Sequence, residues 1–205
     1  MNPIEKLSSL FSEFPTIGSR TARRFVFFLI NQPKDKIDEL AKAILEIKQK
    51  ISLCAFCFNP FENTKNESLC EICSNTSRQK ELLCIVEKET DLISIENTKK
   101  YQGLYFILGG NVQTLRKNIN NLRIEQLKEH IKTPEKFGVK TTFSEIIIAT
   151  NPTPEGQATS VLVEKALKEL AGNYKVSHLA KGLPMGGELE YADEETLEES
   201  FKGRK

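Results

Sequence analysis

Cys54-Ala55-Phe56-Cys57 and, twelve residues further on, Cys70-Glu71-Ile72-Cys73 divide this 205-residue chain into two unlike parts. Ahead of them, apolar residues recur at helical spacing. From residue 79 they form short continuous runs separated by helical stretches. A C-x-x-C knuckle lets both of its thiols turn toward one point, and two knuckles supply the four thiolates that tetrahedral zinc takes at about 2.3 Å. Phe58 to Thr64 give the turn-rich loop that such a site needs. A reduced, metal-free set of thiols is the alternative reading. So are two disulfides, which require an oxidising compartment that nothing in the sequence suggests. The fifth cysteine, Cys84, lies in Leu82-Leu83-Cys84-Ile85-Val86 and reads as a small buried hydrophobe.

Upstream, Ile4, Leu7, Leu10, Phe11 and Phe14 mark a first helix, interrupted by Pro15-Thr16-Ile17-Gly18. Ser19 is expected as the N-cap of a second helix over Arg20–Ile30, with Ala22, Phe25, Val26 and Leu29 on its apolar face. A third helix is expected from about Asp35 to Lys50. Downstream, strands are expected over Leu82–Val86, Gly103–Leu108, Glu145–Ala149 and Tyr174–Ser177. Helices are expected over Asp91–Glu96, Ile124–Ile131 and Pro154–Ala171. Continuous apolar strands alternating with helices predict a mostly parallel, helix-covered sheet.

The whole is therefore read as multidomain α/β: residues 1–52 helical, 53–78 the cysteine loop, 79–177 the sheet domain, and 178–205 a Gly-rich, then acidic tail. Apolar residues make up 39% and charged ones 28%, with net charge +1. Any polyanion site must then be a local patch. No apolar run approaches a membrane span, and Met1 to Lys6 do not form a secretory signal. A reducing cytoplasm is expected.

One such patch stands out. Phe14-Pro15-Thr16-Ile17-Gly18-Ser19-Arg20-Thr21-Ala22-Arg23-Arg24 reads as two helices joined by a tight turn. The start of the second helix offers unpaired N–H groups and partial positive charge to a phosphate. Arg20 and Arg24 share a face, and no acid lies between Glu13 and Asp35. Sequence-independent DNA binding through the backbone is the functional reading, with Gly18, Arg20, Arg23 and Arg24 as its residues. Three arginines on a solvated helix face are the bland one, and a pure protein-interaction adaptor follows from it.

In this order the parts resemble the bacterial recombination mediator RecR family along nearly the whole chain. The matching stretches are Pro15–Arg24, the four cysteines, Cys84-Ile85-Val86-Glu87, Gly103-Leu104-Tyr105 with Leu108-Gly109-Gly110, Ala149-Thr150-Asn151-Pro152-Thr153-Pro154-Glu155-Gly156, and Gly182 to Glu194. The resemblance implies a helix–hairpin–helix domain, a four-cysteine zinc finger, a Toprim domain and a Walker-B-like C-terminal segment. It further implies a homo-oligomeric, tetrameric ring that clamps single- or double-stranded DNA in the cytoplasm, at the nucleoid. With RecO and RecF, such a clamp helps load RecA onto single-stranded DNA coated by SSB. The family's basic residues map onto Arg20 and Arg24, and its Toprim acids onto Glu87 and Glu155, the latter near the expected RecO contact.

This sequence departs from the family at several points. Thr16 stands where the hairpin usually has glycine. A threonine held at positive φ there costs about 1–2 kcal/mol, so a slightly reshaped turn is expected, with phosphate contact falling to Gly18 and the helix start. Asn111-Val112-Gln113-Thr114-Leu115 replace a Gly/Pro-rich loop, and Gln157 replaces an acid. Catalytic Toprim folds hold Mg²⁺ with a glutamate and a later D-x-D pair, but here Asn151-Pro152-Thr153 stand at that later position. A Toprim metal-dependent nuclease is thus the alternative, and no enzyme the expectation. No G-x-x-x-x-G-K-[ST] loop is present. Seven acids between Glu188 and Glu199 read as a solvated face or, through the family, as a segment packing across a neighbouring subunit. His130 and His178 read as structural or surface residues.

Overall fold

The computed structural model describes residues 2–113, 122–180, 182–183 and 185–204. Residues 1–51 and 52–205 form two compact units. In the first, α1 (Pro3–Ser12) and α2 (Ser19–Ile30) form a hairpin, and α3 (Lys34–Lys50) follows. The Asn2 side chain caps α1 by accepting the Ile4 N–H at 3.0 Å, with Pro3 preset for the first turn. Phe11 sits edge-on to Phe14 and Phe25, each at 5.9 Å, closing the hairpin over Ala22 and Val26.

Two expectations for the hairpin turn need correcting. The N-cap of α2 is Gly18 (φ −84°, ψ 166°), with no side-chain cap, and Ser19 is already helical. Nor is the turn reshaped to spare Thr16, which sits at φ 65°. The Ile17 N–H reaches the Phe14 carbonyl at 3.1 Å, so Phe14-Pro15-Thr16-Ile17 has the pattern of a type II turn. That turn needs positive φ at its third residue whatever stands there.

No residue of α3 is buried. Leu40, Ile44, Leu45 and Ile47 are exposed, as are Phe27, Phe28 and Ile30 of α2. Among the described residues, nothing covers the apolar stripe of this amphipathic helix.

From the boundary onward, β1 (Ile51–Leu53) pairs with β2 (Pro60–Glu62) around the first knuckle, and the short helix α4 (Glu71–Ser74) of the second unit carries the second knuckle. The sheet orders its strands β4-β3-β5-β6, all parallel: β3 Leu82–Val86, β4 Leu104–Ile107, β5 Glu145–Ala149 and β6 Lys175–His178. Between them run α5 (Glu89–Glu96), α6 (Ile124–Lys132), a 3-10 turn at Pro134–Phe137, and α7 (Pro154–Lys168). Leu83, Ile85, Leu104, Phe106, Ile146 and Ile148 fill one core, while Cys84, Val86, Tyr105 and Ile107 fill the other face. Burial on both faces is why β3 and β4 are apolar throughout, whereas β6, at the edge, is largely exposed. The tail holds a 3-10 turn at Leu189–Tyr191 and α8 (Glu194–Lys202), capped by Asp193. Lys181, Pro184 and the Thr114-Leu115 pair lie outside the described residues.

The chain leaves β3 toward β4, then returns to the other side of β3 for β5. The carboxyl ends of β3 and β5 therefore meet at the switch point of the sheet, where α/β folds place their sites.

Candidate metal centre and nucleic-acid interface

The two knuckles bring Cys54, Cys57, Cys70 and Cys73 together, fully buried, with sulfurs within 4.8 Å of one another. None is in a disulfide. Cys57 Sγ lies 3.6 Å from Cys70 Sγ. A tetrahedron with metal–sulfur bonds of about 2.3 Å has edges of about 3.8 Å, so this spacing fits a zinc-sized ion. Backbone N–H groups already point at the sulfurs: Asn59 to Cys57 and Cys70 to Cys54, both at 3.4 Å. The thiols also perturb each other. Cys54 is held down by hydrogen bonds from Cys57, then Cys70 and Cys73. Cys57 and Cys73 are pushed up, first by their bonding to Cys54, then by Cys70 for Cys57 and by Cys57 and Cys70 for Cys73, with burial adding to both. Four buried thiols shed their protons together only against a cation. The donor set therefore fits a metal ion.

Sequence reasoning missed how the first knuckle is shaped. Phe58 follows it at φ 63°, a left-handed conformation that swings the Asn59 N–H back onto Cys57. Its ring compensates by packing: Phe106 is 5.5 Å away edge-on, and the Arg123 guanidinium sits 4.4 Å over the face. His130, expected to be structural or surface, is buried against the same cluster. Its pKa is lowered by burial. His178, at the end of β6, is exposed, 3.0 Å from Glu164 and 3.4 Å from Ser160.

In the helical unit, Ser19, Arg20, Arg23, Arg24 and Phe27 line one surface depression. The four last-named positions follow an i, i+3, i+4, i+7 stripe along α2. All three arginines are exposed, and among the described residues none is in an ion pair. With Gly18 supplying no cap, the first N–H groups of α2 have no intrahelical partner beside this stripe.

Glu87 and Glu155, the two acids expected from the resemblance, lie at the end of β3 and in the first turn of α7. Glu87, after β3, is 1% exposed. Its Oε1 accepts the Asn151 N–H at 2.7 Å and its Oε2 the Asn111 amide at 3.3 Å. Glu155, in the first turn of α7, accepts from Gln113 at 2.6 Å. The atypical residues after Gly110 thus bind these two carboxylates. Gly156 is packed so closely that a Cβ there would overlap the Asn151 carbonyl and stand 2.8 Å from Glu87 Oε1.

Among the described residues, no helix is long and apolar enough to cross a membrane. Three family models match the chain: a RecR helix-hairpin-helix over residues 4–48, a Toprim domain over 81–180 and a RecR C-terminal segment over 182–205. Proteins named Recombination protein RecR from two strains of Clostridium perfringens are each 38% identical over 202 residues, covering 98% of this chain and 95% of theirs. The protein of that name from Cutibacterium acnes is 36% identical over 203 residues, covering 98% and 94%.

Proposed function

This chain belongs to the RecR family of recombination proteins, and we propose that it is a DNA-binding recombination mediator without catalysis of its own. One observation carries the DNA reading: Arg20, Arg23 and Arg24 line one exposed face where α2 begins uncapped at Gly18. Backbone amides and guanidinium groups converging there suit phosphates of any sequence. Cys54, Cys57, Cys70 and Cys73 hold a structural Zn²⁺. Small zinc peptides gain about 10–16 kcal/mol on binding the metal, enough to hold an irregular loop in one conformation.

A single face of three arginines binds weakly. Several copies in one assembly multiply its effect, and the uncovered apolar stripe of α3 supports a homo-oligomer, a tetrameric ring in this reading. Glu155 faces RecO or RecF, with the buried Glu87 acting beneath it by fixing the Asn151 loop. The assembled clamp acts in the cytoplasm, at the nucleoid, and helps load RecA onto SSB-coated single strands.

The test is Arg20→Ala with Arg24→Ala in the full chain. DNA affinity, read by fluorescence anisotropy, is expected to fall tenfold or more, and the slope of log affinity against log salt to shrink by about one per lost phosphate contact. Unchanged affinity overturns the assignment. The nuclease alternative requires Glu87 to reach a metal ion, and this carboxylate is 1% exposed and engaged by two protein donors. DNA incubated with the protein and Mg²⁺ or Mn²⁺ should stay intact. Cleavage abolished by Glu87→Gln would favour the enzyme.

A further inference from the structure

We infer that His130 is a positioning residue for the metal centre: from α6 it donates its Nδ1 hydrogen to the Phe56 carbonyl within the first knuckle and so fixes how Cys54 and Cys57 face the ion. This rests on the reading of the four cysteines as a metal site.

The two knuckles are supported differently. The second lies at the start of α4, where Ser74 N–H bonds the Cys70 carbonyl at 3.0 Å, so its own helical turn holds it. The first has no helix. Within it, the Phe58 N–H reaches the Cys54 carbonyl at 3.0 Å. The next two carbonyls with partners are bonded from the α/β body. Ile107 N–H, on the edge strand β4, reaches the Cys57 carbonyl at 3.1 Å. His130 Nδ1 lies 2.8 Å from the Phe56 carbonyl. A carbonyl only accepts, so the hydrogen must sit on Nδ1.

The ring holding that hydrogen cannot move. It is 2% exposed and stacked on Phe137 at 3.6 Å, with Phe58 and Phe106 each at 5.3 Å. A polar ring in so apolar a site is useful for the one hydrogen bond it makes. Phe56 lies between Ala55 and Cys57, with Cys54 one residue beyond Ala55, so rotation of its peptide would turn the thiols of this knuckle away from their partners. Groups that orient metal ligands from the next layer out typically change metal affinity by about 10–100-fold when removed.

The experiment compares native protein, His130→Leu and His130→Asn as full chains. Leucine keeps bulk and apolarity but loses the donor. Asparagine offers Nδ2 near the position of Nδ1. Zn²⁺ affinity is measured by competition with a chromophoric chelator, and Co²⁺ is substituted to read the thiolate-to-cobalt absorption bands. The leucine variant should bind Zn²⁺ at least about tenfold more weakly and show shifted cobalt bands, with asparagine recovering most of both. A leucine variant that merely melts earlier, with affinity and bands unchanged, overturns the inference. So does an asparagine variant no better than leucine. Should leucine prevent folding, nitrogen NMR shifts of the native, Zn²⁺-loaded protein decide it: an Nδ1–H tautomer agrees, an Nε2–H tautomer refutes. Native protein that takes up neither ion would instead defeat the metal reading itself.

Discussion

The Glu87 carboxylate accepts the backbone N–H of Asn151 at 2.7 Å, joining residues 64 apart in sequence. It ties the end of β3 to the loop leaving β5. With Asn111 on its other oxygen, it turns what reads as a metal-type glutamate into a fastener for the switch point. Glu87→Gln keeps the shape but removes the charge-assisted acceptor. It is expected to lower stability by about 1.5–3 kcal/mol in urea titrations. Gly156→Ala presses on the same contact and should cost about 1–3 kcal/mol by overpacking. Because both act on one contact, their effects should be less than additive.

Thr16 at φ 65° stores strain in the hairpin. Thr16→Gly relieves about 1–2 kcal/mol and gives back about 0.5–1 kcal/mol through glycine's freer unfolded chain. Amides of α1 and α2 should exchange up to about tenfold more slowly with solvent, with DNA affinity unchanged. Faster exchange would mean that the threonine side chain contributes something this account lacks.

Cys84 is 2% exposed between the strands, and burial raises its pKa from 9.0 to about 12. The unfolded chain therefore loses this proton first. Its contribution to stability is complete below pH 9 and is lost progressively between 9 and about 12, by at most about 1.4 kcal/mol per pH unit. Tyr101 and Tyr105, also raised by burial, act in the same direction at higher pH. Replacing Cys84 with alanine should lower stability at neutral pH yet flatten the alkaline decline, as urea midpoints between pH 8 and 11 would record. A native-like slope in the variant would mean that Cys84 is not the group responsible.

Much of this was legible in the sequence for specific reasons. The cysteine spacing has few uses besides a metal. The three consecutive isoleucines of β5 pointed to a strand of the sheet, with Ile146 and Ile148 in the core and Ile147 half-buried on the other face. Gly18 was singled out correctly as part of the turn, but Gly18 and Ser19 are both acceptable cap residues, and only geometry decides between them. Phe58 in a left-handed conformation leaves no trace in residue preference. The roles of Asn111 and Gln113 depend on partners 24 and 42 positions away. Burial of Glu87 was hidden because a carboxylate at a strand end looks the same whether it faces an ion or the chain's own N–H groups.

The central claim is that weak cationic turns become an effective DNA grip only when several copies are joined. Light-scattering mass of the metal-loaded protein, with and without a DNA oligonucleotide, tests it most directly. The expected mass is near four times the 23.2 kDa of one chain, with DNA adding to that assembly. A mass of one chain, metal retained and DNA bound at full affinity, would contradict it.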